Sequence, residues 1–339
     1  MTEIKLIKNS EVEIAGEISA GDFMFGKEMA VKELSQTINI KGFRKGKIPE
    51  DLMLKNINQQ ALLERMAVIA LEKKYPEIIK ENKIKPIGRP EIVITKMAEN
   101  NPLGFKIKTA VMPEVKLSNY KDVAKEATSE KKENISVNEA EVDKVLEDII
   151  KSRAKKDDNG NEILPELNDE FARSLGNFEG LNALKKVVKE NIIAEKEMKE
   201  KERVRLNILN KIIKSTSWEI PEILIEWEEN KMLREMAGNI TSMGLKWEDY
   251  LKHIKKTEEE LKMSWREDAL RRVKYGLALN EMAEKEKIEV SDDELNKEME
   301  KISRHRAGAG GNTDKEHIRA HIYGILRNEK LFQLLENII

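Results

Sequence analysis

Four cations, one aromatic ring and two glycines crowd the stretch Lys41-Gly42-Phe43-Arg44-Lys45-Gly46-Lys47-Ile48-Pro49. The glycines flanking Phe43-Arg44-Lys45 open turn conformations that other residues avoid, so a ring and two cations can be held out in solvent. Pro49 suits a first helical position, with Glu50 and Asp51 following where a helix dipole favours acids. Groups of this kind suit a phosphate backbone or an acidic protein patch, and also fit an ordinary solvated basic hairpin. They do not fit a nucleotide phosphate loop: the glycine spacing is one residue short, and Ile48 stands where a Mg²⁺-binding hydroxyl is required.

Enzymatic chemistry has few candidates elsewhere. His317 and His321 stand four apart, a spacing able to bind zinc, but Ile318-Arg319-Ala320 between them carries no general-base Glu and no third ligand is evident. Acid groups such as Glu258-Glu259-Glu260 and Asp292-Asp293 sit at helix starts, where capping accounts for them. No catalytic residue, metal site or cofactor is expected. A better candidate is an apolar surface formed by Met232, Leu233, Met236, Ile240, Met243, Leu245, Trp247 and Leu251, near Met263. Methionine is flexible and polarizable and repacks against unrelated apolar partners, although the same cluster could be the core of its own helices.

The elements that must position these groups follow from composition and periodicity. In 339 residues, 37% are charged, 40% hydrophobic and only 5% aromatic, which favours long solvated helices. Net charge is −2 but unevenly spread: residues 1–112 carry 19 basic against 15 acidic groups, and residues 41–47 alone supply four cations and no acid. There are no cysteines, so disulfides and thiol catalysis are excluded. With no apolar signal core after Met1 and no run of transmembrane length, a cytoplasmic protein without a membrane partner is expected.

Alternation predicts a strand pair over 4–18 and strands around Ile92/Ile94 and Phe105/Ile107/Thr109/Val111. Helices are expected from Asp22 to about Gln36, with Phe23, Met29, Ala30 and Leu34 inward, and from Glu50 to Asn82 with interruptions. Ile38 and Ile40 read as a strand leading into the basic loop. Helices on one small antiparallel sheet make an α+β domain over 1–112. Residues 113–135 read as a polar, extended linker, and Ser136 with Glu139 as a capping box. Leu181 to Ile213 has no Pro or Gly and repeats apolar residues at Leu184, Val188, Val204, Ile208 and Ile212, which predicts one helix of about 50 Å. Its middle, Glu195 to Arg203, is nearly all charge and is expected to project into water. Further helices after Pro221, over 257–287, 291–304 and from Lys315 complete an extended all-α body with projecting arms.

Gly42-Phe43-Arg44-Lys45-Gly46-Lys47-Ile48-Pro49 resembles the ribosome-docking signature of the trigger factor family, and 1–112 is similar in layout to that family's N-terminal domain. Residues 113–339 resemble its helical, substrate-binding domain, mostly in pattern and punctuation. The resemblance implies an ATP-independent chaperone docked at the peptide exit tunnel. Gly42, Phe43, Arg44, Lys45, Gly46, Lys47 and Pro49 would touch ribosomal RNA and a large-subunit protein, and the apolar arm would shield nascent polypeptides. One departure stands out. Family members usually carry a prolyl-isomerase domain where this chain passes from Lys155 to Pro165 in a single short turn without an aromatic residue. The insert is expected to be absent there, and with it isomerase activity. The alternatives are a ribosome-independent holdase, an RNA-binding or ribosome-assembly protein, or a foldase by family membership. Whether the free protein is a homodimer stays open.

Overall fold

The computed structural model describes residues 2–36, 57–130, 135–156, 162–305 and 315–338. The basic stretch 41–49 and the strand expected at Ile38 and Ile40 lie outside the described residues.

Strands β1 (Glu3–Ile7), β2 (Glu11–Ile18), β3 (Pro86–Lys96) and β4 (Leu103–Val111) form one antiparallel sheet in the order β1-β2-β4-β3. Helices α1 (Ala20–Phe25), α2 (Lys27–Ser35) and α3 (Gln59–Glu81) belong with it. Alternation sends Val12, Ile14 and Ile18 of β2 and Leu103, Phe105 and Ile107 of β4 to one face, where they bury Phe23, Ala30, Met66 and Ala70. Ile14, Phe23, Met66 and Ile107 are fully buried, each worth about 1.5–3 kcal/mol. The opposite face is kept wet by cross-strand pairs: Glu11 with Lys108 at 2.8 Å, Glu13 with Lys106 at 3.1 Å and Glu17 with Lys96 at 2.7 Å.

Two details depart from the sequence reading. The helix expected from Asp22 to Gln36 breaks at Gly26, where a Cβ would come within 3.3 Å of the Ile69 side chain on α3. The break rotates Met29 outward, so it is 54% exposed and not part of the core. Pro76, in contrast, lies inside a continuous α3.

The chain continues through α4 (Tyr120–Ser129), α5 (Glu139–Ser152), the short hairpin β5 (Lys155–Lys156) and β6 (Glu162–Ile163), and α6 (Asp169–Leu175). It then forms α7 (Leu181–Lys214), α8 (Glu222–Ser242), α9 (Trp247–Ile254), α10 (Glu258–Lys285), α11 (Asp292–His305) and α12 (Lys315–Glu336). By compactness these make two units, each discontinuous in sequence. The first joins Met1–Lys116 to Ser217–Leu277, and the second joins Leu117–Thr216 to Ala278–Ile339. The division expected at residue 112 is therefore close to one of three crossings, and the root of the arm goes with the sheet.

In the second unit α7 is the spine, a single 34-residue helix as its apolar repeat predicts. Leu184 and Val188 bury with Val142 and Leu146 of α5 and Ala172 of α6, while Ile208 and Ile212 are fully buried further along. The linker expected over 113–135 contains α4. Tyr120, Ala124 and Ala127 recur at helical spacing and are buried, a stripe too small to stand out among the surrounding charges. Its Tyr120 hydroxyl donates to Glu286 at 2.5 Å, and Lys211 of α7 pairs with Glu126 and Glu130. The capping box sits two residues later than expected: Glu141 N–H donates to Asn138 Oδ1 at 2.9 Å and Asn138 N–H donates to Glu141 at 3.0 Å. Asn138 accepts where Ser136 was expected to, and the Ser136 carbonyl instead accepts from Lys196 at 2.8 Å.

The charged middle of α7 is less free than its composition suggests. Lys196 pairs with Glu141 at 2.6 Å, Lys201 with Glu329 at 3.1 Å, and Glu200, only 9% exposed, is forked by Arg203. Met198 on the remaining face is 65% exposed. Charge in that span is thus both solvated and used to tie neighbouring helices to the spine.

Candidate functional site

The apolar arm belongs to the first unit. Pro221 precedes α8, and α8 runs beside α10 over a small core of Ile220, Ile225 and Ala269, against which Leu224, Met232, Leu270 and Val273 pack. Ion pairs brace the two helices: Arg266 with Glu222 at 2.6 Å and Glu229 at 3.6 Å, Arg272 with Glu235 at 3.4 Å and Glu228 at 3.5 Å. Glu229 is 7% exposed, and a carboxylate taken that far from water needs its guanidinium partner.

At the far end α8 closes with a Schellman turn. Gly244, at φ +82°, donates its N–H to the Thr241 carbonyl at 2.9 Å, and Leu245 donates to the Ile240 carbonyl at 3.2 Å. The left-handed Gly244 is what lets the chain reverse into α9. There Trp247 stacks on Tyr250 with centroids 5.7 Å apart, and its indole N–H donates to Glu258 at 2.7 Å. α10 then starts on a capping box between Thr257 and Glu260.

This construction leaves Met243 77% and Leu245 55% exposed at the reversal from α8 to α9, with Trp247 and Leu251 half-buried on α9, and leaves Met263 69% exposed on α10. Met236 and Ile240 are half-buried on the α8 side. Leu233 is the correction: at 9% exposure it is interior packing, not open surface, and Met232 packs partly against the arm's own core. The sequence shows eight apolar residues but not which of them packing covers. Trp227, 48% exposed on α8, was not singled out, although an indole on an otherwise charged turn was a signal.

Among the described residues no three His, Cys, Asp or Glu side chains converge as metal ligands, and His321 on α12 is exposed. No helix among them is long and apolar enough to cross a membrane. A cavity of about 380 Å³ in the second unit, lined by Thr128, Ile135, Glu197, Glu200, Lys201 and Val204, has most of its charges already paired. What the arm offers is a solvent-facing group of soft apolar side chains on a braced helical hairpin, suited to reversible contact with apolar chain.

Comparison with known proteins decides the family. The model described as bacterial trigger factor protein matches residues 1–149, and the model of the trigger factor C-terminus matches residues 180–317. The chain belongs to the trigger factor family. It is 26% identical to the trigger factor of Shouchella clausii over 85% of each chain. It is 24% identical to that of Halothermothrix orenii over 93% of this chain and 92% of the relative, and 26% identical to that of Geobacillus kaustophilus over 88% and 89%. A solved trigger factor chaperone, described by its promiscuous substrate recognition in folding and assembly activities, shares the fold at a TM-score of 0.56. It is 19% identical and covers 99% of this chain and 100% of its own. Trigger factors are ribosome-associated chaperones, and that is the class of activity this chain carries. The Shouchella alignment spans 371 positions yet only 85% of 339 residues, about 288, so roughly 83 positions of that relative face no residue here. The two family models leave 150–179 between them, the span that holds the β5–β6 hairpin.

Proposed function

We propose that this trigger factor docks at the peptide exit tunnel through Gly42, Phe43, Arg44, Lys45, Gly46, Lys47 and Pro49 and holds apolar segments of nascent polypeptides on its arm without ATP. Family membership carries the docking half of this reading, because the N-terminal model spans the whole basic stretch. The exposure of Met243 and Leu245 at the α8–α9 reversal and of Met263 on α10 supports the holding half. Met236, Ile240, Trp247 and Leu251, half-buried beside them, complete the client surface, with Met232 at its edge and Leu233 beneath it.

The protein works as a holdase and not as a prolyl isomerase. The residues missing opposite its relatives fit loss of an isomerase insert at the β5–β6 hairpin, where Lys155 and Lys156 pair directly with Ile163 and Glu162. Its partners are the large ribosomal subunit and unfolded chains, and its place is the cytoplasm. The exposed arm surface would also serve self-association into a homodimer away from the ribosome. Light scattering of an aggregating client tests the holding activity: purified protein without ribosomes or ATP suppresses the signal, and a triple Met243→Ser, Leu245→Ser, Met263→Ser variant loses suppression while keeping its helical content. Equal suppression by both proteins would place the client surface elsewhere.

A further inference from the structure

The segment that enters α8 is pinned across one end of the sheet at two backbone-level points. In the β1–β2 turn Asn9 and Ser10 take left-handed conformations, φ +63° and +52°. Ser10 is 8% exposed, its hydroxyl donates to the Glu219 carbonyl at 2.8 Å, and its own carbonyl accepts from Val111 N–H at 2.9 Å. On β3 the pairing with β4 shifts register between Ile87 and Glu91, and Gly88 within that irregularity has φ +72°. A Cβ on Gly88 would stand 2.0 Å from Ile223 Cδ1, with Trp227 Cζ2 at 3.8 Å. Ladder register puts both points at the same end of the sheet, since Glu11 and Ile87 both lie opposite Ala110. Ile223 therefore fills a notch that exists only because residue 88 has no side chain, while Ser10 holds the segment just before it.

We infer that Ser10 and Gly88 are positioning residues, a two-point clasp that fixes the root of the client arm to the sheet domain so that both move as one body. A bulge, two non-glycine left-handed residues and a buried hydroxyl all cost stability, and they meet where the arm begins. The functional meaning rests on the chaperone reading above, because a domain anchored on a ribosome would then aim the arm. The clasp itself does not depend on that reading and is measured without ribosome or client.

The chain has no cysteine, so Lys5→Cys on β1 and Lys252→Cys on α9, both at well-exposed side chains, take spin labels at those two places alone. Electron–electron resonance of the free protein should give one narrow distance distribution. Gly88→Ala should widen it roughly twofold, as a small steric change that unseats a docked element does. Ser10→Ala should widen it less, by removing one hydrogen bond. Adding Ile223→Ala to Gly88→Ala vacates the space the new methyl needs and should restore most of the original width. A wild-type width in Gly88→Ala overturns the clasp. So does a double variant as broad as the single one, because the broadening would then come from strain within β3 and not from the displaced arm.

Discussion

Arg205 ties the C-terminal helix to the spine, and removing it should loosen one helix selectively. Its guanidinium donates to Glu329 at 2.6 and 2.8 Å and to Glu336 at 2.5 Å, and lies 4.8 Å over the Phe332 ring. A fully desolvated charge-assisted hydrogen bond contributes about 1.5–3 kcal/mol. Here Arg205 is 17% exposed but Glu329 36%, so solvent screens part of the gain. Arg205→Met keeps the stem packed on Phe332 and deletes the charge, which should cost about 2 kcal/mol of local stability. Hydrogen exchange of α12 amides is the assay, since it reads detachment of that helix without requiring the whole chain to unfold. At pH 7 the variant should exchange about thirtyfold faster over 322–336 with α3 unchanged, the rate equivalent of 2 kcal/mol.

The same pair sets a pH signature. Arg205 holds the Glu329 carboxyl down at about 2, against 4.5 for the free group. A depressed carboxylate stabilises the fold above its unfolded value and loses that contribution as pH falls through its folded value. The gap between wild type and Arg205→Met should therefore be full above about pH 4.5 and close steadily towards pH 2. A gap that is absent at pH 7, or that widens in acid, would refute the reasoning.

Three further outcomes follow from particular contacts. Glu294, held down at about 2 by Lys330 and by the Ser291 cap, stabilises α11 in the same pH direction, so Glu294→Gln should flatten the acid limb of its exchange and leave the neutral limb faster. Lys255 ends α9 at φ +54°, a left-handed position that costs a side-chain-bearing residue about 1 kcal/mol, so Lys255→Gly should stabilise the arm tip by roughly that amount in thermal unfolding. In a proline-peptide isomerisation assay the purified protein should give the uncatalysed rate, and turnover above background would revive an isomerase.

Much of this architecture was readable because its signals are long or repeated. The 34-residue α7 announces itself by Leu184, Val188, Val204, Ile208 and Ile212 on one stripe, and the sheet by strict alternation through Phe105, Ile107 and Thr109. What escaped are choices between equally spelled local options, or features created by packing. Ser136-x-x-Glu139 and Asn138-x-x-Glu141 both spell a capping box, and only the start of α5 decides between them. α4 hid because alanine carries most of its buried stripe. Leu233 and Met243 look alike in sequence; packing buries the first and leaves the second in water. The Ser10–Glu219 contact joins residues 209 apart and has no local signature at all.

Docking through the basic stretch is the claim on which the functional account turns, and ribosome co-sedimentation tests it most directly. Wild-type protein should pellet with intact ribosomes at low salt and release as ionic strength rises, because clustered cations dominate the contact. A Phe43→Ala, Arg44→Ala, Lys45→Ala variant should stay in the supernatant with an unchanged fold. Equal pelleting of variant and wild type would contradict the account.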